Sequence, residues 1–145
     1  FYVSYMIVLP YYLLGFSLLE ILWAYLLMIV VGSNIFIYTL VTTHFTMETE
    51  FPTANAKGEL PYSFAEHQLM VSMDYHPTNP VASFLFGGFN SHAAHHLFPT
   101  LPHTIYPKVT PIIVDKALNY NYKYNVLTLW DAIASHFRYL KKLGQ

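Results

Sequence analysis

The chain has 145 residues, a net charge of −1, 10% charged residues and no cysteine. It has no basic face that would indicate nucleic-acid binding, and without cysteine it excludes disulfides, cysteine-ligated zinc and iron–sulfur clusters. The length suits one domain or part of one. Because Phe1 already stands inside an apolar run, we expect a fragment of a longer protein.

Two apolar stretches open the chain, and Glu20 is the only charged side chain before residue 48. Residues 21–41 are long enough to cross the hydrocarbon core of a bilayer, which takes about 20 helical residues. Residues 1–18 predict another span, which Pro10 would kink. With a tight turn at Glu20, these stretches predict a transmembrane helical hairpin.

Every lysine and arginine lies after the second predicted span: Lys57, Lys108, Lys116, Lys123, Arg138, Lys141 and Lys142. Basic residues favour the cytoplasmic side of a membrane. Residues 44–145 are therefore predicted to be cytoplasmic. They contain no clear strand, so the sequence predicts an all-α fold in which a helical hairpin precedes a cytosolic helical cap.

Local signals divide the cap into helices. Ser63 and Glu66 have the spacing of a capping box, which would open a short helix carrying His67. Asn79 followed by proline predicts the start of a second helix, bent near residues 87–88 and ended by Pro99. A third helix is predicted to begin at residues 110–111 on the same grounds.

The last predicted helix begins near Thr128. Its apolar positions recur at helical spacing, so we expect this face to pack against the rest of the domain. The face consists of Trp130, Ile133, Ala134, Phe137 and Leu140.

Four of the eight histidines lie within residues 91–103, SHAAHHLFPTLPH. His92, His95 and His96 share one face of a helix, because positions i, i+3 and i+4 are neighbours there. They could form a partly exposed polar face. The apolar surroundings favour a shared metal instead, since unpartnered polar groups are costly there. Ala93 stands where a zinc protease has glutamate, and imidazole alone suits zinc, copper, nickel or iron.

The stretch GGFNSHAAHHLFPTLPH, residues 87–103, resembles the third histidine box of the membrane fatty acid desaturases. HFTMETEFP at 44–52 and AEHQLMVSMDY at 65–75 are similar to stretches that precede this box in that family. The resemblance covers roughly residues 35–118. The family's two other histidine boxes are not in this sequence and would precede Phe1.

The resemblance implies a four-helix membrane protein whose cytosolic cap holds two irons on histidines. Such enzymes use O2 and two electrons, supplied by cytochrome b5 or a ferredoxin through a reductase, to introduce a double bond into an acyl-CoA or acyl-lipid. His92, His95 and His96 match the box and would be iron ligands. His67 matches a further ligand upstream, and His44 is a candidate ligand or supporting residue. No other catalytic group is expected.

Two alternatives stay open at this point. A related histidine-ligated hydroxylase acting on alkanes or carotenoids would share the oxygen chemistry, although the LFPTLPH tail favours desaturation. A non-catalytic membrane protein with a structural zinc site would need only the imidazole ligands.

Overall fold

The computed structural model describes residues 1–145 and divides them into two compact units, residues 1–37 and residues 38–145. In the first unit, a π-helical turn at Ser4–Val8 continues into α1 (Leu9–Leu13). Helix α2 (Leu18–His44) begins in this unit and ends in the second. The Glu20 carboxylate accepts hydrogen bonds from the Ser17 N–H at 2.8 Å and from its hydroxyl at 2.7 Å. Glu20 thus lies in the first turn of α2, and residues 14–17 form the connection.

Helix α2 is the one helix that is long and apolar enough to cross a membrane, judged by length and composition. It has 27 residues, and its most apolar window has a mean hydropathy of 2.0. It contains the predicted span at 21–41. Residues 1–18 form shorter helical segments, so their crossing of a membrane, and the hairpin, stay predictions.

The regular structure of the second unit is helical apart from one pair of two-residue strands. Strand β1 (Asp74–Tyr75) runs parallel to β2 (Val126–Leu127), with Asp74 opposite Val126. The helices are α3 (Phe64–Val71), α4 (Pro80–Leu85), α5 (His92–Leu97), α6 (Tyr106–Asn119) and α7 (Leu129–Leu143). A 3-10 turn at His103–Ile105 precedes α6. The predicted all-α class is therefore confirmed.

Three predicted helix starts are confirmed by their capping hydrogen bonds. The Ser63 hydroxyl accepts from the Glu66 N–H at 3.3 Å. The Asn79 side-chain oxygen accepts from the first backbone N–H groups of α4, and the Thr128 hydroxyl accepts from the Asp131 N–H at 3.2 Å. Each cap satisfies an amide that has no partner inside its helix.

Two other helix predictions are wrong. The predicted bent helix from Asn79 to Pro99 is two helices, because Gly87 and Gly88 have φ angles of 57° and 82° and end the helical path. A Cβ at position 88 would stand 2.8 Å from the Cβ of His103, so only glycine fits there. Helix α6 begins at Tyr106 instead of Thr110, with Pro107 in its first turn.

The core of the second unit lies between α3, α5 and α6. It is formed by Leu69, Ala93, Ala94, Tyr106, Ile113 and Ala117. The small alanines let α5 approach its neighbours closely. This packing fixes the helix that carries the histidine box.

The predicted packing face of α7 is also wrong. Trp130, Phe137 and Leu140 are 77%, 53% and 47% exposed, whereas Ser135 and His136 are buried. Hydrogen bonds from buried polar side chains fix which face of α7 packs on the protein. The Met47 N–H donates to the Ser135 hydroxyl at 3.0 Å, and the His136 ring donates from Nδ1 to the Phe45 carbonyl at 2.7 Å.

Candidate metal centre

The N-terminus of α5 is held from a distant segment. Ser91 precedes the helix but makes no side-chain capping bond. Instead, the buried Asp74 carboxylate accepts from the Ala93 N–H at 2.8 Å and from the Tyr124 hydroxyl at 2.5 Å. A carboxylate is favourable at this end of a helix. The start of the histidine helix is therefore tied to β1 and to the segment before β2.

Three imidazoles converge beside this helix. The Nε2 atoms of His44 and His92 lie 2.8 Å apart, those of His92 and His96 3.1 Å apart, and those of His44 and His96 3.3 Å apart. Two imidazole nitrogens bound to one ion at about 2.1 Å would be separated by about 3.0 to 3.4 Å. Two of the three separations fall in this range and the separation of His44 and His92, at 2.8 Å, is slightly shorter, so the group is close to the spacing of ligands around one ion.

The tautomers of two rings support the same conclusion. His44 donates from Nδ1 to the Val71 carbonyl at 3.0 Å, and Nδ1 of His96 lies 2.7 Å from the side-chain oxygen of Gln68. A neutral imidazole carries one proton, so both Nε2 atoms then present bare lone pairs to each other. Facing lone pairs repel unless a cation or proton lies between them. Outer hydrogen bonds of this kind commonly orient metal-binding histidines.

The electrostatic setting keeps the rings of His92 and His96 neutral. Burial, and then the neighbouring His44, lowers the pKa of His92 to about 2. The same two causes lower the pKa of His96 to about 4. Neutral imidazole is the form that binds a metal.

The structure places His95 and His67 outside this three-histidine group. Nδ1 of His95 lies 3.3 Å from the Tyr106 hydroxyl, and its ring centroid is 5.8 Å from that of His96. His67 is half-buried on α3, close enough to lower the pKa of His96. The assignment of His95 and His67 as metal ligands stays a prediction.

Sequence reasoning missed the residues that support the ligands. Gln68 follows a predicted ligand but carries no signal that it would meet His96. Asp74 and Tyr124 belong to no histidine motif. His103 donates from Nδ1 to the Gly87 carbonyl, which secures the loop between α4 and α5.

An apolar helix of membrane-spanning length whose last residue joins a group of imidazoles is the arrangement expected of a membrane protein that binds metal through histidine. The fatty acid desaturase family model matches residues 1–128. The chain belongs to this family, whose members are membrane-bound and generally use iron and O2.

Individual relatives agree with the family match. The chain is 32% identical over 138 residues to an sn-1 linoleoyl-lipid 6-desaturase from Synechocystis. This alignment covers 91% of this chain and 37% of the relative. It is 29% identical over 145 residues to an acyl-lipid (8-3)-desaturase from Mortierella alpina, covering 99% and 32%. A 6-desaturase from Arthrospira platensis is 35% identical over 78 residues, covering 53% and 21%. The chain therefore spans about a fifth to over a third of these relatives. No solved structure is significantly similar.

Proposed function

We propose that residues 1–145 are the C-terminal part of a membrane fatty acid desaturase that introduces a double bond into an acyl chain at a di-iron site held by histidines. The observation that carries the proposal is the convergence of His44, His92 and His96 through their Nε2 atoms. Iron, when bound, supplies the activation of O2 in this family.

The surrounding residues fit such a site. His44, His92 and His96 would hold one ion, while the Val71 carbonyl and the Gln68 side chain keep Nε2 of two rings free to bind. His92 is 2% exposed, so little water reaches its ring. We assign His95 and His67 as further iron ligands.

The substrate we propose is an acyl chain esterified in a lipid. The Synechocystis relative is a linoleoyl-lipid desaturase and the Mortierella relative is an acyl-lipid desaturase. Lipid profiling of cells that express the full-length protein tests this. A new double bond should appear in glycerolipid-bound chains before it appears in acyl-CoA; the reverse order would contradict the lipid assignment, and a new hydroxyl group would favour the hydroxylase.

The membrane arrangement belongs to the same proposal. Residues 1–18 and 21–41 are proposed as two of four membrane spans, with residues 44–145 on the cytoplasmic side. There the cap would receive electrons from cytochrome b5 or a ferredoxin through a reductase. Protease treatment of sealed vesicles of known orientation tests the side, because cleavage in the exposed residues 55–60 requires access to the cap.

Metal content tests the centre itself. Full-length protein should contain two irons, and His44→Ala, His92→Ala, His95→Ala and His96→Ala should each lose iron and product. The control is His76→Gln, because His76 is exposed and its ring accepts a hydrogen bond from the Leu129 N–H, outside the histidine group. One tightly held zinc would support the structural-zinc alternative, and near-normal turnover in His95→Ala would remove that residue from the ligand set.

A further inference from the structure

Helix α7 carries an exposed apolar face opposite the face that packs on the protein. The exposed face contains Trp130, Ala134, Phe137 and Leu140, with Ile133 partly exposed. These positions follow helical spacing and lie on one side of α7. The buried side consists of Ala132, Ser135 and His136. Large apolar side chains grouped on a surface indicate an interaction site.

The buried side of α7 fastens it beside the end of α2. His136 bonds to the carbonyl of Phe45, the residue that follows α2, and Ser135 bonds to Met47. The Tyr139 ring stacks on Phe51 with centroids 5.7 Å apart. Helix α7 is therefore attached to the segment immediately after the candidate membrane span.

The length of α2 indicates the depth of that segment. Its 27 residues give a helix of about 40 Å at about 1.5 Å per residue. A bilayer with its headgroup layers is about 40–45 Å thick. If α2 crosses the bilayer, as the proposed function requires, Phe45 leaves it in the headgroup layer, and the part of α7 that contacts residues 45–51 lies next to that layer.

The charges on α7 fit an anionic membrane surface. Helix α7 contains three basic residues, Arg138, Lys141 and Lys142, and one acidic residue, Asp131. Its net charge is therefore +2 (3 − 1, with His136 neutral). Helices that lie in the membrane interface combine tryptophan, phenylalanine and leucine on one face with basic residues on the polar side. Arg138 and Lys142 lie on the polar side of α7. Lys141, four residues after Phe137, lies on the apolar face, from which its long side chain can reach the headgroups.

We propose that α7 lies in the membrane interface, with Trp130, Phe137 and Leu140 among the acyl chains and the basic residues at anionic headgroups. The family model ends at residue 128, before this helix begins. Its role is to hold the histidine-bearing cap against the bilayer at a second point besides α2. This inference rests on the proposed crossing of the membrane by α2.

Spin labels in the full-length protein, reconstituted in nanodiscs with anionic lipid, test the proposal. Single cysteines are introduced as Phe137→Cys and, as the matched polar control on the same helix, Asp131→Cys. Residues 1–145 contain no cysteine of their own; any elsewhere in the protein are replaced first. The Phe137 label should collide with O2 and lose collisions with a water-soluble nickel complex, and the Asp131 label should do the reverse.

Ile29→Cys, in the middle of α2, gives the lipid-exposed reference and tests the crossing separately. Strong nickel collisions at Phe137 would overturn the docking, and so would protection from both reagents, because that would mean a protein surface covers α7. Product measured in the same preparation separates the two proposals. An active enzyme with an aqueous Phe137 label overturns only the docking, whereas a lipid-exposed label in a protein without product overturns only the desaturase assignment.

Discussion

Asp74 joins the histidine helix to the C-terminal part of the cap. Its two carboxylate oxygens accept from the Ala93 N–H and from the Tyr124 hydroxyl, and its side chain is fully buried. Burial raises the pKa of Asp74 to about 6, although both hydrogen bonds oppose the increase. The carboxyl group therefore acts mainly as an acceptor that fixes the position of α5.

We expect Asp74→Ala to lower the free energy of unfolding by about 2 kcal/mol or more, because it leaves a buried amide and a buried hydroxyl without a partner. Asp74→Asn should remain within about 1 kcal/mol of the native protein, since its amide can accept from Ala93 and donate to Tyr124. Denaturant unfolding of the full-length protein measures both. Equal losses in the two variants would contradict this role.

Acid should lower the stability of the folded protein through His92 and His96. The folded-state pKa values of His92 and His96, about 2 and about 4, lie below the usual histidine value of about 6.5. Between pH 6.5 and 4 the unfolded chain therefore binds protons that the folded protein does not. These two rings therefore cost stability as the pH falls through this range and cost none above it. The raised pKa of Asp74, about 6, acts in the opposite direction and offsets part of the loss.

The measurement is the midpoint of thermal unfolding of the full-length protein from pH 7.5 to pH 5. His96→Gln removes one titrating group, so its midpoint should depend less steeply on pH than that of the native protein. An unchanged slope in His96→Gln would show that this ring does not stay neutral in the folded state.

The histidines of the candidate metal centre could be predicted to meet only where they lie close together in the sequence. His92 and His96 stand four residues apart on one helix, so local geometry alone predicts that they meet. His44 lies 48 residues before His92, and only tertiary packing brings them within 2.8 Å. His95, three residues after His92, also shares the helix face but has its Nδ1 near the Tyr106 hydroxyl. A shared helix face therefore did not show which rings form one group.

At the level of the helices, starts were predictable where one side chain caps its own helix, as Ser63, Asn79 and Thr128 do. Helix boundaries that depend on contacts with distant residues could not be predicted. The break between α4 and α5 depends on the contact of Gly88 with His103, fifteen residues away. The orientation of α7 depends on bonds from Ser135 and His136 to residues 45–48, which outweigh its apolar pattern.

The same substitution at Ala132 and at Ala134 compares the buried and the exposed face of α7. Ala132→Leu should lower the free energy of unfolding by about 1 to 3 kcal/mol, because Ala132 is fully buried and a larger side chain overpacks its surroundings. Ala134→Leu, two residues along on an exposed position, should change it by less than about 0.5 kcal/mol. Denaturant unfolding distinguishes the variants. A larger loss in Ala134→Leu would restore the face predicted from the sequence.

For the whole molecule, the family was predictable because the box and its flanks lie close together in sequence. The resemblance is confirmed by the family match over residues 1–128. The residues that orient the histidines or hold their helix could not be predicted, because Gln68, Asp74 and Tyr124 act through contacts between distant segments.

Residues 1–145 expressed without the rest of a full-length protein should hold metal less well than the full-length protein. The resemblance implies eight or nine histidines around two irons, and this chain brings three together, with His67 and His95 as further candidates. An incomplete set of ligands leaves open positions on each ion and lowers metal affinity. Many apolar side chains of residues 1–37 are also exposed. We therefore expect this segment alone to retain fewer than two irons and to form no unsaturated product. Iron and product are measured with and without the upstream half; activity in the segment alone would contradict the desaturase assignment.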